Sequence, residues 1–352
     1  MNKFRKFNKL NDYLDFIGCE GSYEYIKFSC EVCNSEDFQV VLTHTDCGSE
    51  TLVPLPVSAC KECGFLMQNP RLTGDFYERF YKEFYPKMRA LSQSNVEGDP
   101  NNVGGKMQMN KDGSANEHGF NVARERAENL YNYLKIKNYI TKKGNLLDVG
   151  CGCGGFLHFF RDLGWEVKGN DPDHTCAQIA ISKNLPVEIL PGEKMKEDKE
   201  KYDLVIIIGS LEHCQEPNEV LKRCWESMKD GAIIVIEGRY FPISESFRWL
   251  NANHQRFFVH ESSQSILIKH GFEILESTTY PVCGSSTGRN GGGFAFARKD
   301  SSKDIYNMHL KDSRKKFLDK LKKEKLIDSP QNIIENIKKH DGPFFIQEKY
   351  MI

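Results

Sequence analysis

From Asn145 onward the chain alternates short apolar runs with segments whose apolar residues recur at helical spacing. "NLLDVG", "EVKGND", "PVEIL", "YDLVIIIGS" and "AIIVIEGR" are short, apolar and rich in β-branched residues, and they read as buried strands. Between most of them lie "GGFLHFFRDLG", "TCAQIAISKN" and "PNEVLKRCWESM", which read as helices. Such alternation predicts a parallel sheet covered by helices on both faces. "HESSQSILIKHGFEILES" then reads as a helix ending at Gly271 followed by a strand, and "GGGFAFARKD" as a final strand. Upstream, "NVARERAENLYNYLKI" puts Ala123, Ala127, Leu130 and Leu134 on one helical face.

Elsewhere the pattern changes character. "NPRLTGDFYERFYKEFYP" carries aromatics at helix-like spacing and predicts a packing helix, with an aromatic wall for a ligand as the other reading. "LSQSNVEGDPNNVGGKMQMNKDGSANEHG" is polar, rich in Gly and Asn and without period, so residues 88–119 are expected to form a flexible loop or a lid. After Asp300 the chain turns Lys-rich with a helical pattern.

The first strand runs straight into an unusual turn. In "LLDVGCGCGGFLHFF" (146–160), positions 150, 152, 154 and 155 are glycine. Glycines at 150, 152 and 154 leave no Cβ atoms to hold a ligand off the backbone, and the turn sits where open α/β sheets bind ligands, at the carboxyl ends of strands. Gly150, Gly152 and Gly155 also fit the G-x-G-x-x-G dinucleotide fingerprint, a weak match by itself. Asp148 discriminates: a carboxylate there repels a pyrophosphate and favours a ligand carrying an ammonium group. Asp171, in "GNDPD" at the end of the second strand, is placed to accept hydrogen bonds from ribose hydroxyls; its other reading is a turn residue before Pro172. Cys151 and Cys153 lack a nearby third ligand and are read as small side chains tucked under the turn.

Composition narrows the partners. With 48 basic and 49 acidic residues the formal charge is -1, which gives no global pull toward nucleic acid or an anionic membrane. No run approaches the roughly 18 apolar residues that suggest a membrane span. "MNKFRKFNKLNDYLDF" has no apolar core or cleavage site of a secretory signal, so a cytoplasmic location is expected. Twelve cysteines in such a chain point to metal ligands or buried packing rather than disulfides. Two pairs have ligand spacing: Cys30 and Cys33 in "CEVC", and Cys60 and Cys63 in "CKEC". Two C-x2-C turns supply four sulfurs to one tetrahedral centre, so a structural zinc ribbon is expected; buried unligated thiols and a redox or iron–sulfur site are the competing readings. His44 and Cys47 are left out, since four thiolates already close the site. Cys19, Cys176, Cys214, Cys224 and Cys283 are read as packing residues.

"LLDVGCGCGGF", "VKGNDPD" and "YDLVIIIGSLEHCQEPNEVLKRCWESMKDGAIIVIEG" resemble, in order, the motifs of class I S-adenosylmethionine-dependent methyltransferases. The resemblance covers roughly 120–298 and implies a Rossmann-like α/β fold with a seven-stranded sheet whose last strand is inserted antiparallel. It implies S-adenosylmethionine as cofactor, with Asp148 and the turn carrying Gly150, Gly152 and Gly154 at its methionine end, and Asp171 on its ribose. Glu193 in "LPGEKM" lies where that family contacts adenine, and Gly209, Ser210 and Leu211 close the fourth-strand end of the pocket. The N-terminal "CEVC…ACKECGFLMQNPR" resembles the zinc-ribbon preface of a subset acting on sugars and other surface or secondary-metabolite building blocks. The domains expected are therefore 1–87 (zinc ribbon and packing helix), 88–119 (loop or lid), 120–298 (methyltransferase) and 299–352 (helical C-terminal extension).

The sugar C-methyltransferases of that subset carry Tyr-x-Glu-His. "NANH" (251–254) keeps only His254, with Asn251 and Asn253 in place of the tyrosine and glutamate, which favours transfer to oxygen. An alcohol nucleophile needs a base, and His254 and His213 are the candidates. His260 is read as structural. Arg239 and Arg256 are considered for a phosphate or carboxylate of the acceptor, with solvated surface charge as the leading reading. The expected partner is a small-molecule acceptor, a sugar or sugar nucleotide among the options. Two rivals remain. RNA methylation gripped by the ribbon is opposed by the charge balance, with the tail "SRKKFLDKLKKEKL" its one support; Asp319 and Glu324 there suit a solvated amphipathic helix. The other is a non-catalytic cofactor-binding partner in a complex.

Overall fold

The computed structural model describes, apart from isolated positions, residues 5–46, 51–84, 117–238, 254–284, 293–302 and 311–335. Cys47, Arg239, Asn251, Asn253 and nearly all of 88–119 lie outside the described residues. The main sheet comprises β1 (Asn145–Val149), β2 (Glu166–Asn170), β3 (Val187–Glu188), β4 (Tyr202–Ile208), β5 (Met228–Gly238), β6 (Phe272–Thr278) and β7 (Gly293–Lys299). Its order is β3-β2-β1-β4-β5-β7-β6. Strands β1 to β5 pair parallel, and β7 is inserted antiparallel between β5 and β6. The seven-stranded α/β fold is as the sequence predicts. The order reverses between β1 and β4, which opens a crevice at the carboxyl ends of those strands.

Helices α1 (Glu117–Ile136), α2 (Gly155–Asp162), α3 (His174–Ser182), α4 (Pro217–Ser227) and α5 (His260–Lys269) cover the sheet. Successive strand residues feed two cores. Leu204, Ile206, Ile233 and Val235 meet Ala127, Leu130 and Leu134 of α1 and Phe160 of α2 on one face. Val205, Ile207, Ile234 and Ile236 meet Leu221 of α4 and Ile266 of α5 on the other. Period-2 geometry makes this partition, and each buried aliphatic chain contributes about 1.5–3 kcal/mol relative to exposure. The fifth strand starts earlier than "AIIVIEGR" suggests: α4 passes directly into Met228, and Gly231, at φ +77°, turns the chain before the apolar run.

The N-terminal segment holds a four-stranded antiparallel sheet of Phe38–Leu42, Val57–Cys60, Leu66–Gln68 and Arg256–Phe257. That last strand comes from the chain after β5, so the ribbon and the large sheet are stitched together. Their interiors also merge, with Cys30, Cys60, Phe65 and Met67 in the same core as Val205 and Ile266. The aromatic segment forms a helix at Gly74–Arg79 that continues as a π-helical turn through Phe84. Phe76, Tyr77 and Phe80 pack there on Tyr13, Leu14 and Leu55. A C-terminal helix, α6 (Lys311–Lys323), buries Phe317, Leu318 and Leu321 in the shared core and leaves Lys315, Lys316 and Asp319 exposed. No helix among the described residues is long and apolar enough to cross a membrane.

Candidate functional site

The turn after β1 closes on itself before it meets any ligand. Gly150, at φ +78°, donates its N–H to Asn170 O at 2.9 Å, and a Cβ there would stand 2.5 Å from the Ser210 Cβ. Gly154, at φ +79°, is bare for another reason: its Cβ would strike Leu185 Cδ1 at 2.6 Å and Ala180 Cβ at 2.8 Å. Gly154 therefore lets α3 pack close, whereas Gly150 and Gly152 reach a hollow of about 520 Å³. Of the residues expected at a cofactor, Gly150, Gly152, Asp171, Glu193, Gly209 and Ser210 line this hollow. Asp148 and Leu211, 3% and 1% exposed, stand behind its wall together with Gly154.

The two carboxylates differ in setting. Asp171 accepts the N–H of Gly152 at 2.8 Å and that of Asp173, also at 2.8 Å, one on each oxygen. The bond from Asp173 N also makes it a turn residue before Pro172, while the cap of α3 is Asp173, which accepts from Thr175 and Cys176. Asp148 lies at the centre of the sheet. Burial, then the charge of Asp171, push its carboxyl well above the ordinary range, with Arg126 pulling the other way. A cation arriving in the hollow would favour its ionised form. Glu193, on the short helical turn Gly192–Lys194 after β3, accepts from Gln215 N at 3.3 Å, and its Oε2 is buried without a hydrogen-bond partner. A residue of the wall with a buried acceptor left over among the described residues suits a donor such as an exocyclic amine.

Backbone and acids at the ends of β1, β2 and β3 thus offer what a cationic, ribose-bearing and amine-bearing molecule needs, and S-adenosylmethionine fits that description. Beside the glycine turn, Ser210 donates to Val149 O at 2.6 Å and starts the turn 211–213. His213 lines the hollow, with Tyr81 Oη 3.2 Å from its Nδ1. His254 is buried at 3% exposure, its ring centroid 4.6 Å from that of His213. Glu212 completes the group: one ligand atom from each of the three lies within 4.8 Å of the others. Three such groups at that spacing are also a set that could hold a metal ion. His260 engages Ser277 Oγ at 3.1 Å, away from the hollow.

Arg256 corrects its expectation. It is 0% exposed and clamped by the Glu31 carboxylate at 2.5 and 2.6 Å, so it is neither a solvated charge nor open to an acceptor's anion. Cys214 and Cys176, both read as packing, do pack, against the shared core and Phe120 respectively, and both also stand in the wall of the hollow, while Cys153 packs against Phe120.

The four ribbon cysteines converge. Cys30 and Cys63 Sγ stand 3.5 Å apart, as do Cys33 and Cys60, and all four lie within 4.8 Å. A tetrahedral zinc with Zn–S bonds of about 2.3 Å spaces its sulfurs about 3.8 Å apart, so the cluster fits. Two matching knuckles make it: Asn34 N donates to Cys30 O and Gly64 N to Cys60 O, both at 2.8 Å, with Asn34 and Gly64 at positive φ. Burial pushes the Cys30 thiol well up, and its neighbours' sulfurs do the same to Cys63. A divalent cation would reverse both by compensating the thiolates.

Residues 121–277 match the family model described as a methyltransferase domain. The chain carries a class I S-adenosylmethionine-dependent methyltransferase domain. It is 33% identical over 96 residues to a ubiquinone biosynthesis O-methyltransferase of Rhodopseudomonas palustris, a match covering 26% of this chain and 38% of that one. The mitochondrial enzyme of the same name from Saccharomyces cerevisiae is 28% identical over 116 residues, 31% of this chain and 36% of that one. The chain thus spans little more than a third of these relatives' length. A solved SAM-dependent methyltransferase from Methanosarcina mazei superposes with a TM-score of 0.39 at 16% identity, covering 47% of this chain and 97% of that one. The cysteine ribbon lies outside the matched methyltransferase domain.

One charged residue of the hollow escaped sequence reasoning. Arg126 of α1 lines it while gripping both oxygens of Glu237, at the end of β5, at 2.8 and 2.9 Å. A charge beside Ala123, Ala127 and Leu130 was the available signal, since such a position must find a buried partner. Tyr77 and Tyr81 also line the hollow, so the aromatic segment supplies wall as well as packing.

Proposed function

We propose that the protein transfers a methyl group from S-adenosylmethionine to an oxygen of a small, hydroxylated acceptor. The observation that carries this reading is one hollow lined by Asp171, the glycine backbone and His213, with the buried ring of His254 centred 4.6 Å from that of His213. When bound, the cofactor supplies a methyl group already activated on a sulfonium. The chain's own groups then have three tasks. Asp171 accepts hydrogen bonds from the ribose hydroxyls, and Asp148, ionised by the arriving charge, offsets it from behind the turn. The Glu193 Oε2 accepts from the adenine amine. His213, oriented by Tyr81 and backed by His254, takes the proton from the acceptor hydroxyl as the new bond forms.

The named O-methyltransferase relatives favour oxygen as the accepting atom, as does the loss of the tyrosine and glutamate at 251 and 253, which lie outside the described residues. The wall's charge narrows the acceptor. Its carboxylates, Asp75, Glu78, Asp171, Asp173, Glu193 and Glu216, outnumber the bases Lys82, Arg126 and Lys194. That balance suits a cationic cofactor with a neutral acceptor, sugar or phenol, and opposes a polyanion such as RNA. Zinc in the cysteine ribbon has a structural part in this scheme. The test is to incubate the protein with labelled S-adenosylmethionine and a panel of sugars, nucleotide sugars and phenolic compounds. His213→Ala is expected to lower kcat about 100-fold or more with little effect on cofactor affinity. An unchanged rate removes His213 from the chemistry.

A further inference from the structure

The turn 211–215 carries His213, Cys214 and Gln215 into the hollow, and it contains no long element to hold it. Every one of its carbonyls is gripped from outside. Arg256 Nη1 donates to Leu211 O, Glu212 O and Cys214 O, and its Nη2 to Gln215 O. Gln255 Nε2 takes His213 O at 2.9 Å, and Arg71 Nη2 also reaches Gln215 O at 3.3 Å. Both arginines meet Glu31: Arg256 at 2.5 and 2.6 Å, Arg71 at 2.8 Å. Glu31 sits between Cys30 and Cys33, inside the first knuckle. Its main-chain carbonyl is held in turn by Lys269 Nζ at 2.8 Å and Asn218 Nδ2 at 3.0 Å.

A buried carboxylate with two buried guanidinium groups is costly to assemble and costly to break, which is what a fixed joint requires. Burial would raise the Glu31 carboxyl, but the two arginines hold it down at about 2. A planar guanidinium has five N–H donors in a rigid fork, and Arg256 aims two at the Glu31 carboxylate and three at four carbonyls, with Leu211 O, at 3.5 Å, sharing a donor of Nη1. A lysine offers a point charge and cannot span that set.

Resting on the proposed methyl transfer, we infer that Arg256 is a positioning residue for His213, anchored through Glu31 to the cysteine knuckle, so that order in the metal site is transmitted to the turn bearing the base. The coupling is mechanical. It asks only that the Cys30–Cys33 knuckle keep Glu31 where both arginines can reach it.

Two measurements test it, and the first does not depend on turnover. In the metal-loaded wild-type protein, amides of 211–215 and 254–257 are expected to be protected from hydrogen exchange. On chelation their exchange is expected to rise more than about tenfold while β1 and β2 hold. Protection unchanged at 211–215 after the metal leaves overturns the inference, and so does simultaneous loss across β1, which would mean a whole-molecule role. The second is Arg256→Lys, which keeps the charge against Glu31. With metal content retained, kcat is expected to fall about tenfold to 100-fold while KM for S-adenosylmethionine stays within about threefold. A lower melting temperature with kcat untouched would make Arg256 merely structural. Should this variant not fold, the exchange experiment on the wild-type chain decides alone. Absence of any methyl transfer in the wild type would sink the proposed function and leave the exchange result standing.

Discussion

Two sets of residues serve the hollow, and they are built in opposite ways. Asp148, Gly150, Gly152 and Asp171 belong to one strand–helix–strand unit, and β1 and β2 pair residue by residue from Asn145 to Val149. The other set is assembled from afar. His213 meets Tyr81 across 132 positions, Gln68 holds His254 O across 186, and Arg256 meets Glu31 across 225. A cofactor that many enzymes share can be met by a local motif. An acceptor peculiar to one enzyme is met by whatever the rest of the chain folds against that motif. Here that is the cysteine ribbon and its aromatic helix.

The comparison is broken most severely from the ribbon. Cys60→Ser removes one of four converging sulfurs, and the buried charge joint at Glu31 loses its base. Loss of a structural metal is among the few changes expected to exceed about 4 kcal/mol. Metal content should fall below stoichiometric and the thermal transition should drop or broaden, with methyl transfer abolished. A variant that melts like wild type would show the cluster to be passive packing. Next in size is Asp171→Ala in the local set. Charge-assisted hydrogen bonds are worth about 1.5–3 kcal/mol each, so losing two to ribose hydroxyls should weaken cofactor binding about 100-fold by calorimetry. A change below threefold would place the ribose elsewhere.

The same contrast governs what could be read from the sequence. The five parallel strands were legible because period-2 burial forces runs such as "DLVIIIG", and the turn because glycine at φ +78° and a carboxylate at a strand end are local signals. The knuckles were legible because ligand spacing is short-range. Arg256 was misread as a surface or anion-binding charge, since nothing near it announces Glu31. Arg126 was missed for the same reason, its partner Glu237 lying 111 positions on. Buried ion pairs leave no periodic trace in either strand or helix. Gly154 was assigned to the ligand because sequence shows that a Cβ is missing, but not whether a ligand or Leu185 fills the space.

A subtler effect is expected at Asp148. Burial and Asp171 raise its carboxyl well above the ordinary range in the ligand-free protein, so the folded chain holds a proton the unfolded chain has already released. Folding stability from this group therefore falls as pH rises between the ordinary and the raised value, and is unaffected below both. Asp148→Asn should remove that loss, leaving the free protein more stable than wild type above the window and equal to it at acid pH. Cofactor binding should move the other way. A cationic ligand favours the ionised carboxyl, so wild-type affinity should rise with pH across the window, and the variant should lose that slope along with about tenfold in affinity at neutral pH. Parallel melting and calorimetric titrations over pH would check both signs. A pH-independent wild-type affinity would count against Asp148 as the counter-charge.

The smallest expected effect falls on the long-range set. Tyr81→Phe keeps the ring that lines the hollow and removes only the hydroxyl 3.2 Å from His213 Nδ1. A single neutral hydrogen bond contributes about 0.5–1.5 kcal/mol, which corresponds to a loss of roughly two- to tenfold in kcat. The loss should leave cofactor affinity unchanged, because the bonds that hold Asp171 to Gly152 and Glu193 to Gln215 stay in place. It should also raise the freedom of the His213 ring, visible as averaging of its imidazole proton signals. If instead KM for the acceptor rises and kcat holds, the hydroxyl touches the acceptor rather than the base. The aromatic helix would then be read as an acceptor wall alone, and orientation of His213 would rest on the grip that Arg256 and Gln255 keep on its main chain.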